Sequence, residues 1–115
     1  MSQSIKAIRG AITVKDNTEA SVLDATEHLM KSIAEANGIG PDDIVAVWVT
    51  ATTDITAAFP AKVFPSMGWG SVARMCAQEL EIEGALPMCV RVMVIANVPG
   101  DVEHIYLSGA KILKS

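Results

Sequence analysis

The chain has 115 residues, of which half are hydrophobic and 19% are charged, and its formal net charge is −4. This length is typical of one domain, so we expect residues 1–115 to form a single domain. The hydrophobic content is too high for intrinsic disorder, and the acidic balance argues against a general nucleic-acid or anionic-membrane surface. The same hydrophobic content predicts an oligomer, because a small monomer would leave apolar side chains exposed.

No segment of the sequence predicts export, membrane insertion or a bound cofactor. The longest uncharged stretch, residues 63–73, is shorter than the roughly 18 apolar residues of a spanning helix, and the first residues lack the apolar core of a signal peptide. The two cysteines and the two histidines are spread along the chain without metal-ligand spacing. We therefore expect a cytoplasmic protein that uses no metal, nucleotide or redox cofactor.

The amino-terminal third of the chain predicts a strand followed by a long helix. Residues 5–14 alternate in polarity, which predicts a strand with Arg9 on the face opposite Ile8. Residues 16–18 (Asp-Asn-Thr) are typical of a helix start. Apolar residues then recur at helical spacing until the Asn-Gly pair at 37–38, which is typical of a left-handed helix end. This pattern predicts one long amphipathic helix.

The rest of the chain predicts mainly β-structure. Residues 44–52 are predicted to form a buried strand, 54–70 a loop with a short helical turn, and 72–82 either a strand or a helix. A strongly apolar strand follows at 88–98, and residues 104–113 are predicted to form the last strand. This order predicts an α+β fold, namely a mixed β-sheet with one long helix against one face and a short helical turn.

Two of the arginines, Arg9 and Arg91, lie inside predicted strands. Alternation places Arg91 on the same face as Cys89, where its guanidinium would be partly desolvated and would need a negative partner. That partner is either a carboxylate of the chain, such as Glu79 or Glu81, or an anionic ligand. Arg9 has small neighbours that leave room for a ligand, and the alternative is an ordinary solvated arginine at a strand edge.

Three further residues are candidates for a polar pocket. Cys76 and Glu79 lie three positions apart in the ambiguous segment. A helical turn or a bulged strand would bring them to one side, whereas a plain strand would separate them. Tyr106, the only tyrosine, alternates with its apolar neighbours and is predicted to face either a polar pocket or solvent.

Short motifs occur along nearly the whole chain in an order that is specific when they are taken together. These motifs are Arg9-Gly10-Ala11-x-Thr13-Val14, Ala51-Thr52-x-Asp54, Phe59-Pro60-Ala61-Lys62, Gly68-Trp69, Cys76-x-Gln78-Glu79, Cys89-x-Arg91-Val92-Met93, Val98-Pro99 and His104-x-Tyr106-Leu107. With these motifs the sequence resembles the AroH-type chorismate mutases, which are monofunctional enzymes.

The resemblance implies a fold, an assembly and a reaction. The fold is the ferredoxin-like, bacillus chorismate mutase-like one, with a mixed sheet and one long helix per subunit. Three identical subunits form a pseudo-barrel, with active sites in the clefts between subunits. The reaction is the intramolecular Claisen rearrangement of chorismate to prephenate in the shikimate pathway. It is the committed step towards phenylalanine and tyrosine and requires no cofactor.

The resemblance also implies roles for individual side chains. Arg91 would donate hydrogen bonds to the breaking ether oxygen and also approach a substrate carboxylate. Arg9 and Tyr106 would bind the enolpyruvyl carboxylate, while Glu79 and the Cys76 region would position the ring hydroxyl. Arg91, Glu79 and Arg9 are therefore the predicted catalytic residues. The residues that would line or cover the pocket are Phe59, Ala61, Lys62 and Leu113.

The sequence departs from the family pattern at several positions that are expected to bind substrate. The family usually carries an arginine shortly after the position of Lys62, where this chain has Pro65. Arg74 occupies a position that is usually apolar, and Met75 one that is often threonine. Arg74 is therefore a candidate replacement for the missing loop charge, and Lys114 stands where a basic residue often contributes. We expect these differences to affect substrate affinity more than the reaction.

Two other functions are compatible with the same residues. Imine or enamine deaminases of the Rid type also place an arginine in a cleft between subunits, but they lack the arrangement of Cys76 and Glu79. A non-catalytic trimer that binds small anions is the second alternative. A pericyclic rearrangement needs only a held conformer and stabilisation of growing negative charge, and it therefore suits a sequence without a recognisable nucleophile or metal motif. The sequence predicts a chorismate mutase.

Overall fold

The structure is a computed structural model that describes residues 4–114. Its regular elements are strand β1 (Ile5–Thr13), helix α1 (Glu19–Asn37) and strands β2 (Ile44–Ala51), β3 (Arg74–Gln78), β4 (Cys89–Asn97) and β5 (Ile105–Leu107). Short 3₁₀ helices occupy Pro41–Asp43, Pro60–Val63, Pro65–Met67 and Ser108–Leu113. No helix within residues 4–114 is long and apolar enough to cross a membrane.

The five strands form one mixed sheet in the order β3-β2-β4-β1-β5. Strand β4 pairs antiparallel with both β1 and β2, whereas β5 joins β1 and β3 joins β2 in parallel. Helix α1 packs against one face of the sheet, as predicted from the sequence. We call the opposite face of the sheet the outer face.

The predicted helix is confirmed at both ends. Thr18 is the N-cap, and its side chain accepts a hydrogen bond from the backbone N–H of Ser21 at 3.2 Å. Gly38 ends the helix with a positive φ of 62°, a conformation in which a side chain would be strained. Between these ends, Leu29 and Ile33 are buried against the sheet, so that the apolar face of α1 forms the core.

Strand β2 differs from the fully buried strand that its composition predicts. Val47 and Val49 are buried, but the side chains of Val45 and Trp48 are 55% and 50% exposed. Trp48 alternates onto the outer face, where the described chain supplies no second helical layer, and Val45 lies at the register shift between Ile44 and Ala46. Composition alone cannot distinguish such a strand from one that is covered on both sides.

The carboxyl-terminal region differs from the strand predicted over residues 104–113. Strand β5 ends at Leu107, and the chain turns at Ser108, whose φ is 53°, into the 3₁₀ helix up to Leu113. The backbone N–H of Gly109 donates a hydrogen bond of 2.8 Å to the Thr13 hydroxyl. A Cβ at position 109 would lie 3.0 Å from that side chain. The close contact with β1 therefore turns the chain back over the outer face.

A small cluster of buried residues holds this 3₁₀ helix in place. Ala11, Cys89 and Ala110 are fully or almost fully buried, with Leu113 packed against them. Burial raises the pKa of the Cys89 thiol from 9.0 to about 11, although the nearby positive charge of Arg91 opposes the shift. Cys89 is thus a small buried residue in its protonated form, beside the candidate site.

Gly10 allows α1 to approach the sheet closely. A Cβ at this position would lie 2.6 Å from Cδ1 of Ile33 and 3.2 Å from the carbonyl oxygen of Ile105. Ile33 is itself buried, and the carbonyl belongs to the neighbouring strand, so neither atom can move without disturbing its own packing.

We expect Gly10→Ala to lower the free energy of unfolding by about 1–3 kcal/mol, because the added methyl group overpacks the contact between helix and sheet. Gly40→Ala is the matched control, since a Cβ at position 40 would meet no atom within 4 Å. Urea denaturation of both variants measures the difference. Equal stability of the two variants would show that the contact at Gly10 is not tight.

We expect the stability of the fold to fall as the pH rises from 9 to 11, because the folded state retains the Cys89 proton that the unfolded chain loses. Other groups titrate in the same range, so the comparison is with Cys89→Ala, whose stability should decline less. Thermal unfolding of both proteins at several pH values gives the two slopes. Parallel slopes would contradict a raised pKa of Cys89.

Candidate active site

The outer face of the sheet carries a cleft with a volume of about 210 Å³, which we call the arginine cleft. Four strands and the residue after β3 contribute to its walls. The polar and aromatic residues that line it are Arg9, Trp48, Thr50, Glu79, Arg91 and Tyr106. The structure thus brings together four residues that the sequence proposed for one site, namely Arg9, Glu79, Arg91 and Tyr106.

Strand register explains why these side chains meet. Arg91 in β4 lies opposite Thr50 in β2 and opposite Ala11 in β1. Ala11 in turn lies opposite Tyr106 in β5. Paired residues of neighbouring strands project from the same face of the sheet. The residues on the outer face therefore include Arg91, Thr50, Ala11 and Tyr106. Ala11 itself is fully buried, with Ala110 and Tyr106 packed in the same cluster, and it does not line the cleft.

Glu79 is the carboxylate that faces Arg91, and it was one of the two acidic partners considered from the sequence. Its Oε1 lies 3.7 Å from Nη1 of Arg91, while its other oxygen accepts a hydrogen bond from the Thr50 hydroxyl. A separation of 3.7 Å is an ion pair but not a hydrogen bond. The guanidinium N–H groups of Arg91 can therefore still donate to an anion that enters the cleft.

The side chain of Arg91 is 51% exposed, so it is partly desolvated within one chain, as the sequence predicts. The outer face has one layer fewer than the face that packs on α1, so the guanidinium reaches solvent in the described chain. Because Arg91 is half exposed, its ion pair with Glu79 contributes little to the stability of the fold. An arginine and a glutamate in this arrangement are better explained by a ligand than by stability.

Cys76 and Glu79 lie on different sides of the sheet. The segment around them is a plain strand, β3, and Cys76 pairs with Val49, whose side chain is buried in the core on the other side of the sheet from the outer face. Glu79 follows the strand and lies on the outer face. Of the alternatives that the sequence left open, the one that separates the two residues is therefore the one observed.

A second cleft, which we call the Lys62 cleft, has a volume of about 520 Å³ and lies at the β3 edge of the sheet. Its walls come from β3, from the segment after β2 and from the first turn of α1. They include Glu19, Thr53, Phe59, Lys62, Cys76 and Gln78. Phe59, Lys62 and Cys76 were predicted for the same site as Arg91, but the structure places them in this separate cleft.

Lys62 supplies the positive charge of the second cleft. Its Nζ lies 2.8 Å from Oε2 of Glu19, and both side chains are more than half exposed. The Phe59 side chain beside it is 74% exposed and forms an apolar wall. The cleft thus presents an aromatic surface beside a lysine whose charge is paired with Glu19 in one chain.

Asn17 holds the loop that forms this second cleft. Its Oδ1 accepts hydrogen bonds of 3.0 Å from the backbone N–H groups of both Thr56 and Ala57, and its amide donates to the Thr56 hydroxyl at 2.8 Å. The sequence identified Asn17 only as a residue typical of a helix start. Its contact with a loop about 40 positions away has no local sequence signal.

The remaining predicted pocket residues line neither cleft. Ala61 is buried in the core beneath Lys62, and Met75 is 61% exposed on the outer face. Leu113 packs on the buried Cys89 cluster, and Lys114 is exposed immediately after it. These positions surround the two clefts rather than form their walls.

Arg74 also lies outside both clefts. Its guanidinium carbon lies 5.3 Å from the centre of the Phe64 ring. Its Nη1 donates to the carbonyl oxygens of Gly70 and Val72 at 3.3 and 2.9 Å. These contacts hold the side chain against the loop that precedes β3. Within one chain Arg74 therefore contributes to neither cleft.

Among residues 4–114, no group of three or more histidine, cysteine, aspartate or glutamate side chains is arranged to hold a metal ion. The charged side chains that line the two clefts are Arg9, Arg91, Glu79, Lys62 and Glu19. They can bind carboxylates and a hydroxyl group and can stabilise negative charge.

Comparison with known proteins agrees with this arrangement. The sequence profile of the family described as chorismate mutase type I matches residues 5–115. The chain is 40% identical to chorismate mutase AroH of Bacillus subtilis over 114 residues, which cover 96% of this chain and 90% of the relative. It is 39% identical to chorismate mutase AroH of Thermus thermophilus, covering 92% of this chain and 90% of that protein.

A solved structure shows the same fold. The chorismate mutase from Clostridium thermocellum superposes on this chain with a TM-score of 0.91 at 45% sequence identity, covering 93% of this chain and 98% of the other. The profile match spans nearly the whole sequence, and the identities to the relatives are well above the level at which only a fold is shared. The chain belongs to the chorismate mutase type I family.

Proposed function

We propose that this protein catalyses the rearrangement of chorismate to prephenate in an active site that two subunits share. The arginine cleft of one subunit and the Lys62 cleft of its neighbour together form each site. The observation that carries the proposal is the pair of strand arginines, Arg9 and Arg91, which meet Glu79 and Tyr106 on an exposed sheet face. The family membership of the chain supports the reaction.

The separation of the two clefts supports a shared site. Cys76 faces the layer of α1, whereas Glu79 and Arg91 lie on the outer face, so a small substrate cannot touch both groups within one chain. Large apolar side chains such as Trp48 and Met75 are exposed on the same outer face. A second copy of the chain packed there would bury them and bring its Lys62 cleft to the arginine cleft.

The family resemblance makes a homotrimer the assembly that we propose. Three copies arranged in a ring would place their sheets around a central axis and create three equivalent clefts between neighbours. Residues 1–115 act as one chorismate mutase domain in each subunit. The enzyme works in the cytoplasm, at the step that commits chorismate to phenylalanine and tyrosine synthesis.

The reaction makes limited demands on the protein. One carbon–oxygen bond of the ether breaks while one carbon–carbon bond forms within the same molecule, so no proton, electron or other group is exchanged with the protein. The barrier falls when the substrate is held in its compact, chair-like conformer and when the negative charge that grows on the ether oxygen is stabilised. Charged hydrogen-bond donors in a fixed position meet both demands.

Arg91 is the residue that we assign to the ether oxygen. Its guanidinium lies in the middle of the arginine cleft, and its planar set of N–H groups can reach the ether oxygen and a carboxylate together. A neighbouring subunit over the outer face would remove water from the 51% of the side chain that is exposed in one chain. Its electrostatic effect on the transition state would then be stronger.

The other residues of the arginine cleft bind the substrate. Arg9 and Tyr106 bind the enolpyruvyl carboxylate, since they lie on adjacent strands and both line the arginine cleft. Glu79 accepts a hydrogen bond from the ring hydroxyl, and the Thr50 hydroxyl holds its carboxylate in place. Glu79 also balances part of the positive charge of Arg91 before the substrate enters the cleft.

The Lys62 cleft completes the site from the neighbouring subunit. Lys62 binds the ring carboxylate, Phe59 covers the ring, and the Cys76 region contacts the ring hydroxyl. Ala61 supports this wall from the core. Arg74, Met75, Leu113 and Lys114 line neither cleft of one chain, and their contacts with substrate stay a prediction.

We expect the wild-type protein to accelerate the loss of chorismate diene absorbance, and Arg91→Lys to lower kcat by more than about 10²–10³-fold with the fold retained. Lysine preserves the charge but loses the planar set of donors. Circular dichroism checks the fold of the variant. Near wild-type kcat in Arg91→Lys would contradict the mechanism, and no acceleration by the wild-type protein would contradict the function.

Arg9→Ala is the control for this measurement. It should raise KM at least as much as it lowers kcat, because a carboxylate contact is present in both the ground state and the transition state. A loss confined to kcat would contradict the assignment of Arg9 to the enolpyruvyl carboxylate.

We expect two inactive variants to restore activity when their subunits are mixed. Arg91→Ala removes the arginine cleft, and Lys62→Glu places a negative charge in the Lys62 cleft. In a random trimer of equal amounts, about a quarter of the sites combine two intact clefts, so about a quarter of wild-type activity should return. The activity of subunits refolded together measures this recovery.

The matched control mixes Arg91→Ala with Arg9→Ala, whose substitutions lie in the same cleft. No site in that mixture has an intact arginine cleft, so mixing should produce no recovery. The same lack of recovery in mixed Arg91→Ala and Lys62→Glu trimers, with their formation verified by native mass spectrometry, would contradict the shared site.

A further inference from the structure

The imidazole of His104 forms a hydrogen bond to the backbone at Arg9. The Arg9 N–H donates to Nδ1 of His104 over 2.8 Å, between residues 95 positions apart in the sequence. The sequence showed His104 only as a residue of a short motif. From this contact we propose that His104 is a positioning residue that aligns Arg9 and Tyr106 for the substrate carboxylate, which rests on the function proposed above.

The contact extends a short strand pairing. Strand β5 contains only Ile105, Tyr106 and Leu107, and it pairs with β1 from Gly10 to Ile12. Parallel pairing over so few residues gives little resistance to sliding or separation. The His104 ring accepts the N–H of the preceding β1 residue, where the regular pairing has already stopped. This hydrogen bond therefore helps to hold β5 in register with β1.

A second contact fixes the residue immediately before His104. At the end of α1, the Asn37 side chain accepts a hydrogen bond from the Glu103 backbone N–H at 2.7 Å and donates one to the Glu103 carbonyl oxygen at 3.0 Å. The backbone on one side of His104 is thus tied to α1, and its ring is tied to β1. The contact with α1 thus fixes the backbone position from which the His104 ring reaches β1.

These contacts determine where two substrate-binding groups lie. Arg9 and Tyr106 both line the arginine cleft, but they belong to different strands. Their separation depends on the register between β1 and β5, which His104 helps to hold. A carboxylate bound by both needs that separation to be correct within a fraction of an ångström. Loss of the contact should therefore weaken substrate binding more than it slows the rearrangement at Arg91.

The choice of side chain follows from the position of the accepting atom. Nδ1 is the ring nitrogen nearer the backbone, and it accepts only in the tautomer that carries its proton on Nε2. The Oδ1 atom of asparagine lies at nearly the same distance from the backbone, whereas the Oε1 atom of glutamine lies one carbon farther out. Asparagine can therefore replace the contact, and glutamine or alanine cannot.

The test compares chorismate kinetics of His104→Ala, His104→Gln and His104→Asn. We expect KM to rise about three- to tenfold in the alanine and glutamine variants, with kcat within about twofold of wild type, which corresponds to the loss of one neutral hydrogen bond. The asparagine variant should keep KM within about twofold of wild type. His28→Ala, at an exposed position of α1, is the matched control and should leave both constants unchanged.

Three outcomes would overturn the proposal. The first is an unchanged KM in His104→Ala, and the second is a KM in His104→Asn as high as that of His104→Ala. The third is a change in the kinetic constants that is fully explained by a loss of folded protein, measured by circular dichroism. A protein without chorismate mutase activity would contradict the proposed function, and the contact itself would still be testable. Nitrogen-15 NMR of the wild-type protein should show Nδ1 of His104 unprotonated, and a protonated Nδ1 at neutral pH would exclude it as the acceptor.

Discussion

The coverage of one sheet face by a single helix is the constraint on which the rest of this structure depends. Helix α1 buries Leu29 and Ile33 on the sheet and can approach closely because Gly10 has no side chain. Alternate residues of β1, β2 and β4 then lie on the outer face, which the chain covers at Ala11 and Cys89 but leaves largely exposed elsewhere. Arg9, Trp48 and Arg91 are such residues. Their exposure leaves both charge and apolar surface available to a substrate and to another subunit.

The division of the candidate site between two clefts follows from strand alternation. In β3, Cys76 lies under the helix layer, and the chain must pass to Glu79 before a side chain reaches the outer face. The arginine cleft contains neither Phe59 nor Lys62, which line the Lys62 cleft. A site formed by two clefts is sufficient for a unimolecular reaction, because it has to hold and polarise one molecule and does not have to bring several reactants together.

Much of this organisation could be predicted from local sequence patterns. The caps at Thr18 and Gly38 bound the helix, and alternation placed Arg91 on the same face of its strand as Cys89. The prediction was wrong where distant contacts decide the structure, as at Ser108, where the Thr13 hydroxyl and a buried alanine turn the last segment away from a strand. Contacts made through Asn17 and His104 were also missed, because both depend on the pairing of segments far apart in the sequence.

The most direct test of the shared site is a crystal structure with a non-reactive dicarboxylate analogue of the compact chorismate conformer. The account predicts that Arg91 and Arg9 of one subunit and Lys62 of its neighbour contact the same analogue molecule. It also predicts that a guanidinium N–H of Arg91 donates to the oxygen that corresponds to the ether. An analogue bound entirely by residues of one subunit, or bound without Arg91, would contradict this account.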